Sequence, residues 1–385
     1  MSAVVLSTVL DTAGPEKVAM ATLNRPDTLN GLSLEMCHEL TRLLEQWEDD
    51  PTIAFVILRG AGERSFCAGG DLHSLYASMQ ENTERDAWSN GYAREFFDVE
   101  YRLDYMIHRY GKPILCWGSG IVMGGGVGLM MGASHRVVTD TTRFAMPEIS
   151  IGLFPDVGGT WMLSRLPDGI GMFLALTGAQ LGARDCLLLG LADHELPSDG
   201  FDALLADVQA ARWSARPDRN DALLRRLLQS KAPSATAQPG PLQRHFDVIR
   251  AACGGTNFDE ICAAIEAWAD HDDPWLQRAA RTFSTGAPSS ARLAFTLLHK
   301  VRLMSLADVF RIEYIVSLQC GVQGDFQEGI RALLIDKDKS PAWNPASLSE
   351  ATDAWVQRYF QAPWPDHQPH PLSDLGEVPD HAVQE

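Results

Sequence analysis

Six consecutive apolar residues, Ile53 to Leu58, lie between a proline at 51 and a glycine at 60. A run of that length with no polar face reads as a buried strand, and the segments around it alternate in kind. Residues 17 to 24 set Val18, Met20 and Thr22 at the two-residue period of a half-buried strand, which Arg25-Pro26-Asp27 stops. Ser33 then caps a helix on which Met36, Leu40, Leu43, Leu44 and Trp47 recur at helical spacing until Asp49-Asp50-Pro51. Beyond Leu58 come a glycine-bearing loop from Gly60 to Gly70 and short strands at Ile114 to Trp117 and Arg136 to Val138. The turn Gly124-Gly125-Gly126 separates those strands. Strand, helix, strand, loop, helix, strand, helix is the order of an α/β fold.

After about residue 200 the strand signals stop, and Ala-, Leu- and Arg-rich helical segments alternate with breaks such as Ala232-Pro233-Ser234 and Gln238-Pro239-Gly240-Pro241. The chain therefore divides into a core over 1–200, a mainly helical region over 201–362 and a tail over 363–385. Prolines 363, 365, 369, 371 and 379 among polar residues give that tail too little apolar surface to offset its ordering entropy, so disorder is expected there.

With 32 Lys and Arg against 50 Asp and Glu, the formal charge is −18. Nucleic acid, bound mainly through clustered positive charge, is excluded as a partner. No apolar run approaches the roughly 18 residues that span a bilayer, so no membrane association is expected. The N-terminus shows no basic n-region and no Arg-rich amphipathic stretch, and seven cysteines are scattered without Cys-x-x-Cys spacing. Together these predict a cytoplasmic protein with reduced thiols and no cysteine metal site.

Three segments carry chemistry. In Ser65-Phe66-Cys67-Ala68-Gly69-Gly70-Asp71, small residues let a ligand approach the main chain, although a tight turn with Asp71 as helix N-cap fits equally. In Met123-Gly124-Gly125-Gly126-Val127-Gly128, glycines open a helical segment whose first amides suit a developing oxyanion; close helix-to-strand packing is the alternative. Neither segment satisfies a P-loop or a dinucleotide fingerprint. In Phe144 to Gly159, the acids Glu148 and Asp156 each follow a proline in apolar surroundings, where desolvation raises a carboxyl pKa, or where each caps a turn. Asp270-His271-Asp272-Asp273-Pro274 looks metal-like but reads better as a helix boundary.

Cys67-Ala68-Gly69-Gly70-Asp71, the triple glycine and Met146-Pro147-Glu148, twenty residues after Gly128, resemble in order and spacing the crotonase (enoyl-CoA hydratase/isomerase) superfamily. The resemblance implies a spiral of ββα units, followed here by a mainly helical C-terminal half. It also implies an acyl-CoA substrate, homo-oligomers in many members and no metal or redox cofactor, CoA being part of the substrate. Two oxyanion-hole amides then fall on Gly70 and Gly125, with Ala68, Asp71, Leu72 and Gly124 along the substrate.

Hydratases of that superfamily carry a second glutamate at the position that is Gly128 here. Instead, Ile151-Gly152-Leu153-Phe154-Pro155-Asp156-Val157-Gly158-Gly159 is similar to the 3-hydroxyisobutyryl-CoA hydrolase branch. Phe96-Phe97, Glu100-Tyr101, Ala175-Leu176-Thr177-Gly178 and Asp325 to Pro341 share that likeness, which covers roughly residues 15 to 345. It implies hydrolysis of a short 3-hydroxyacyl-CoA in valine breakdown, with Glu148 as the catalytic carboxylate and Asp156 and Glu100 at the acyl end. Double-bond isomerisation or hydration, and non-catalytic acyl-CoA binding, are the alternatives. Arg25, Arg64 and Lys112 are candidate partners for the CoA phosphates.

Overall fold

The computed structural model describes residues 3–82, 86–232 and 238–377. Its strands, in chain order, are β1 (Val5–Leu10), β2 (Lys17–Leu23), β3 (Ile53–Gly60), β4 (Ser65–Cys67), β5 (Ile114–Gly118), β6 (Ile121–Met123), β7 (His135–Thr139), β8 (Arg143–Ala145) and β9 (His194–Leu196). A six-stranded sheet runs β1-β2-β3-β5-β7-β9 and a three-stranded sheet runs β4-β6-β8. Among the paired strands of the described residues only β1–β2 is antiparallel, with Val5 opposite Leu23. The chain steps from the large sheet to the small one three times, β3 to β4, β5 to β6 and β7 to β8, and returns through helical segments. That is the spiral of ββα units the resemblance implies.

The helices nearest the sheets are α1 (Leu34–Asp49), α2 (Leu72–Glu81), α3 (Gly91–Arg109) and α4 (Gly125–Met131). Ser33 caps α1 by accepting from the Met36 amide at 3.2 Å. The run Ile53 to Leu58 is buried throughout because β3 is covered on both faces. Val56 and Leu58 face the main core with Cys116 and Val138. Phe55 and Ile57 face a second core closed by Phe201, Leu204, Val208, Leu224 and Leu228, from the helices Phe201–Ala210 and Pro217–Ser230. Thus the first helices of the C-terminal region complete the sheet's outer layer.

The structure alters two expectations and adds five strands, β1, β4, β6, β8 and β9, of which β4 lies inside the stretch from Gly60 to Gly70 expected to be a loop. On β2, Ala19, Ala21 and Leu23 enter the main core, while the predicted face turns to the second core, where Val18 is fully buried and Met20 packs half-buried. Strand β1 gave no sequence signal, because five of its six residues are exposed or half-buried at the sheet edge. The tail expected to be disordered is packed over residues 363–377, while the rest of it lies outside the described residues. Leu372 and Leu375 are buried, and Arg102 and Arg311 donate to the carbonyls of Pro371, Leu372 and Ser373. Two apolar anchors and fixed guanidinium donors hold a segment whose average composition is polar. All seven cysteines are buried and unpaired.

Candidate active site

Between the two sheets and the helical half lies a cavity of about 860 Å³. Gly70, Gly125, Glu148, Asp156, Glu100, Ala68, Asp71, Leu72 and Gly124, all nine residues singled out in the sequence, line it. The C-terminal region adds Phe326, Leu333 and Leu334, the last two from a widened helical turn over Arg331–Ile335.

The spiral brings the two glycine segments together because β4 and β6 are neighbours, pairing Cys67 with Val122. Each strand therefore ends beside the other, and the residues that follow form one wall. Gly124 starts α4 with φ 50° and ψ −123°, a conformation unsuited to residues with a Cβ. At Gly125 a Cβ would stand 2.5 Å from Oε1 of Glu100 and 3.5 Å from the Gly70 nitrogen. Among the described residues, the amides of Gly70 and Gly125 donate to no protein acceptor. Two free donors at one wall of a largely apolar cavity suit a carbonyl oxygen gaining negative charge. The Asp71 alternative also holds: its carboxylate caps α2 by accepting from the Ser74 amide at 3.3 Å and pairs with Arg25 at 3.0 Å.

Glu148 opens a short 3-10 turn, Glu148–Ile151, after Pro147. It is 4% exposed, its Oε2 has no partner among the described residues, and its Oε1 faces Gly124. Burial, reinforced by Asp156, pushes its carboxyl well above the usual range. Asp156 is raised by burial to about 6, held down from higher by the Tyr101 hydroxyl, which donates to its Oδ2 at 2.8 Å. Glu100, delivered by α3, is also raised, first by burial and then by Asp156 and Asp104.

Behind this wall sequence reasoning named Tyr101 without a role and missed Asp104 and Glu313. Tyr101 bridges Asp156 and Ser317. Asp104 sits one helical turn beyond Glu100, a spacing that would have revealed it. Glu313, on the helix Leu306–Gln323, accepts from the Gly158 amide at 2.7 Å and from the Thr160 hydroxyl, and burial lifts it to about 8. No local pattern links it to Asp156. Arg25 and Arg64 line the cavity, but Lys112 does not: it donates to the carbonyls of Trp47 and Asp50. In the stretch once metal-like, Asp273 caps the helix Pro274–Thr285.

A family model described as enoyl-CoA hydratase/isomerase matches residues 18–360. A mitochondrial 3-hydroxyisobutyryl-CoA hydrolase of Gallus gallus is 38% identical over 342 residues, 88% of this chain and 85% of that protein. 3-Hydroxyisobutyryl-CoA hydrolase 1 of Arabidopsis thaliana is 36% identical over 349 residues, 89% of each. Among solved structures, a carnitinyl-CoA dehydratase from Mycobacterium thermoresistibile superposes with a TM-score of 0.81 at 37% identity, covering 96% of this chain and 99% of that one. An enoyl-CoA hydratase from Rhodobacter sphaeroides gives 0.78 at 31% identity, covering 92% and 96%. The mitochondrial names overturn the cytoplasmic expectation, which rested on the composition of the first residues and on scattered thiols; reduced cysteines mark a reducing environment without specifying the compartment.

Proposed function

The chain belongs to the enoyl-CoA hydratase/isomerase family, and from that premise we propose that it hydrolyses 3-hydroxyisobutyryl-CoA to 3-hydroxyisobutyrate and free CoA, a step of valine degradation. The observation that carries this reading is the buried Glu148, its Oε2 without a partner among the described residues, beside two free backbone donors in one cavity.

In this reading the thioester carbonyl oxygen lies between the Gly70 and Gly125 amides, each worth about 3 kcal/mol as charge develops on it. Glu148 acts in its ionised form, either attacking the acyl carbon to give a mixed anhydride or taking a proton from the attacking water. Its desolvation makes it a stronger base or nucleophile than an exposed glutamate. Asp156 and Glu100 receive the substrate's 3-hydroxyl, and Tyr101 orients Asp156. A cavity with buried acceptors for a hydroxyl rejects acyl groups that lack one. The reaction balances with water alone and asks for no metal or redox cofactor.

The neighbours titled dehydratase and hydratase raise a second reading, proton transfer about a carbon–carbon double bond. The position that resemblance assigns to the second acid of hydratases is Gly128. A Cβ there would stand 2.5 Å from Oδ2 of Asp104 and 2.8 Å from Cβ of Val157, which favours hydrolysis. The two readings separate by free thiol. Release of CoA from 3-hydroxyisobutyryl-CoA and 3-hydroxypropionyl-CoA, followed with a thiol reagent, is expected to be fast and to vanish in Glu148→Gln. Loss of crotonyl-CoA absorbance with no thiol from any substrate would establish the hydratase instead.

A further inference from the structure

Hydrolysis of a thioester leaves a proton to dispose of. The C–S bond breaks and a C–O bond forms to the water oxygen. One water proton ends on the CoA sulfur, and the other is freed when the new carboxylic acid ionises. The chamber in which this happens is walled by carboxyl groups whose charge state must be restored after each turnover, and its mouth is filled by the CoA product.

One face of α3 leads from that chamber to the surface. Glu100, Asp104 and His108 recur every fourth residue, so they stack along the helix. Glu100 lines the reaction cavity. Asp104 is 3% exposed, and among the described residues both of its oxygens are buried without a partner. An unpartnered carboxyl costs several kcal/mol to bury, and its retention calls for a role. It lines a second cavity of about 30 Å³, enough for a water. His108 lines the same cavity, is exposed, and has its ring 5.8 Å from that of Trp161. The two cavities share Val157 as a common wall. Gly128 is what makes room, since a side chain there would overlap Asp104.

We propose that Glu100, Asp104 and His108 form a path that carries the proton released by hydrolysis from the reaction chamber to solvent along α3. The path rests on the hydrolase reading. Asp104 is a transfer site that never touches substrate, and His108 is the port.

The groups around Asp104 suit this. Besides Glu100 and His108 on its own helix, it is faced by Asp156 from the loop after β8, by Glu313 from the helix Leu306–Gln323 and by the Cys37 thiol of α1. Burial and those carboxylates raise Asp104, so it holds a proton that a lone surface aspartate would shed. Burial, then Arg109, lowers His108, so it is neutral and ready to accept at physiological pH.

The test is single-turnover stopped flow with 3-hydroxyisobutyryl-CoA in weak buffer, reading thiol with a chromogenic reagent in one set of shots and protons with a pH indicator in a parallel set without that reagent, whose own reaction with the CoA thiol frees a proton. In the wild type the two signals rise together. In His108→Ala and Asp104→Asn, the proton signal is expected to lag the thiol by about tenfold or more. Added imidazole should restore synchrony in His108→Ala, a rescue that a structural defect would not show. Proton and thiol rising in step in His108→Ala without imidazole would overturn the path, and since His108 is exposed, that variant decides even if Asp104→Asn fails to fold. Absence of thiol from the wild type would overturn the hydrolase reading and the path with it.

Discussion

Tyr101 is the residue through which Asp156 can be tuned without touching the substrate. Its hydroxyl lowers a carboxyl that burial raises, so Tyr101→Phe moves Asp156 upward from about 6. If ionised Asp156 binds the 3-hydroxyl, the acid limb of kcat/KM shifts to higher pH by about one unit, with little change at pH 8. A pH–rate profile of wild type and variant measures the shift directly. At Glu148, exchange for glutamine keeps the shape and removes the charge. Turnover should fall by at least ~10³ while the dissociation constant for a non-hydrolysable acyl-CoA changes by less than about tenfold, read by calorimetry. Glu148 and Asp156 were legible in the sequence because acids isolated in an apolar segment are costly unless used. Asp104 could have been read from its spacing one turn beyond Glu100; Glu313 could not, because its helix mixes polar and apolar residues normally, and only the fold reveals which polar residues turn inward.

Among the elements, α4 is the one whose composition follows from its surroundings. Its glycines are required by what lies against them: Glu100 at Gly125 and Asp104 with Val157 at Gly128. Gly125→Ala should therefore displace Glu100 and lose activity by about 10² or more, with the fold intact by circular dichroism. Gly128→Ala must force Asp104 and Val157 apart, which costs about 1–3 kcal/mol in denaturant unfolding. Strands β2, β3, β5 and β7 and the helix after Ser33 were readable, since buried strands and capped helices have local signatures; the three-residue strands β4, β6 and β8 of the small sheet, with β4 inside the stretch read as a loop, were not. Edge strand β1 was not, because most of its side chains meet solvent, and the pairing of β4 with β6 is long-range and leaves no trace in either segment.

Taken whole, the protein is built around buried acids, and its stability should fall as pH rises. Asp156 and Glu313 have folded values of about 6 and about 8, both above their ordinary ones. For a carboxyl raised on folding, the folded state binds the proton more tightly. The contribution is therefore fully present below the unfolded pKa and is lost as pH climbs through the folded value. The thermal midpoint is thus expected to decline from pH 5 to pH 9, most steeply between about 5 and 6, where both groups hold a proton only in the folded chain, and to level off above about 8; scanning calorimetry across that range checks it. The C-terminal strap contributes separately. Deleting residues 362–385 removes the buried Leu372 and Leu375 and the acceptors of Arg102 and Arg311, and should lower the midpoint by several degrees. Wild-type melting of that truncation would show the strap to be dispensable.

The seven cysteines bear on how this catalyst can be watched. Each is buried, and burial holds the thiols of Cys37, Cys67, Cys116, Cys186, Cys253, Cys262 and Cys320 above their ordinary pKa. A disulfide-based dye needs an accessible thiolate, so the folded enzyme is silent toward it and the colour counts product alone, even when enzyme and substrate are equimolar. The same dye added with denaturant would find seven thiols per chain, which turns one reagent into both a turnover counter and a gauge of the folded fraction.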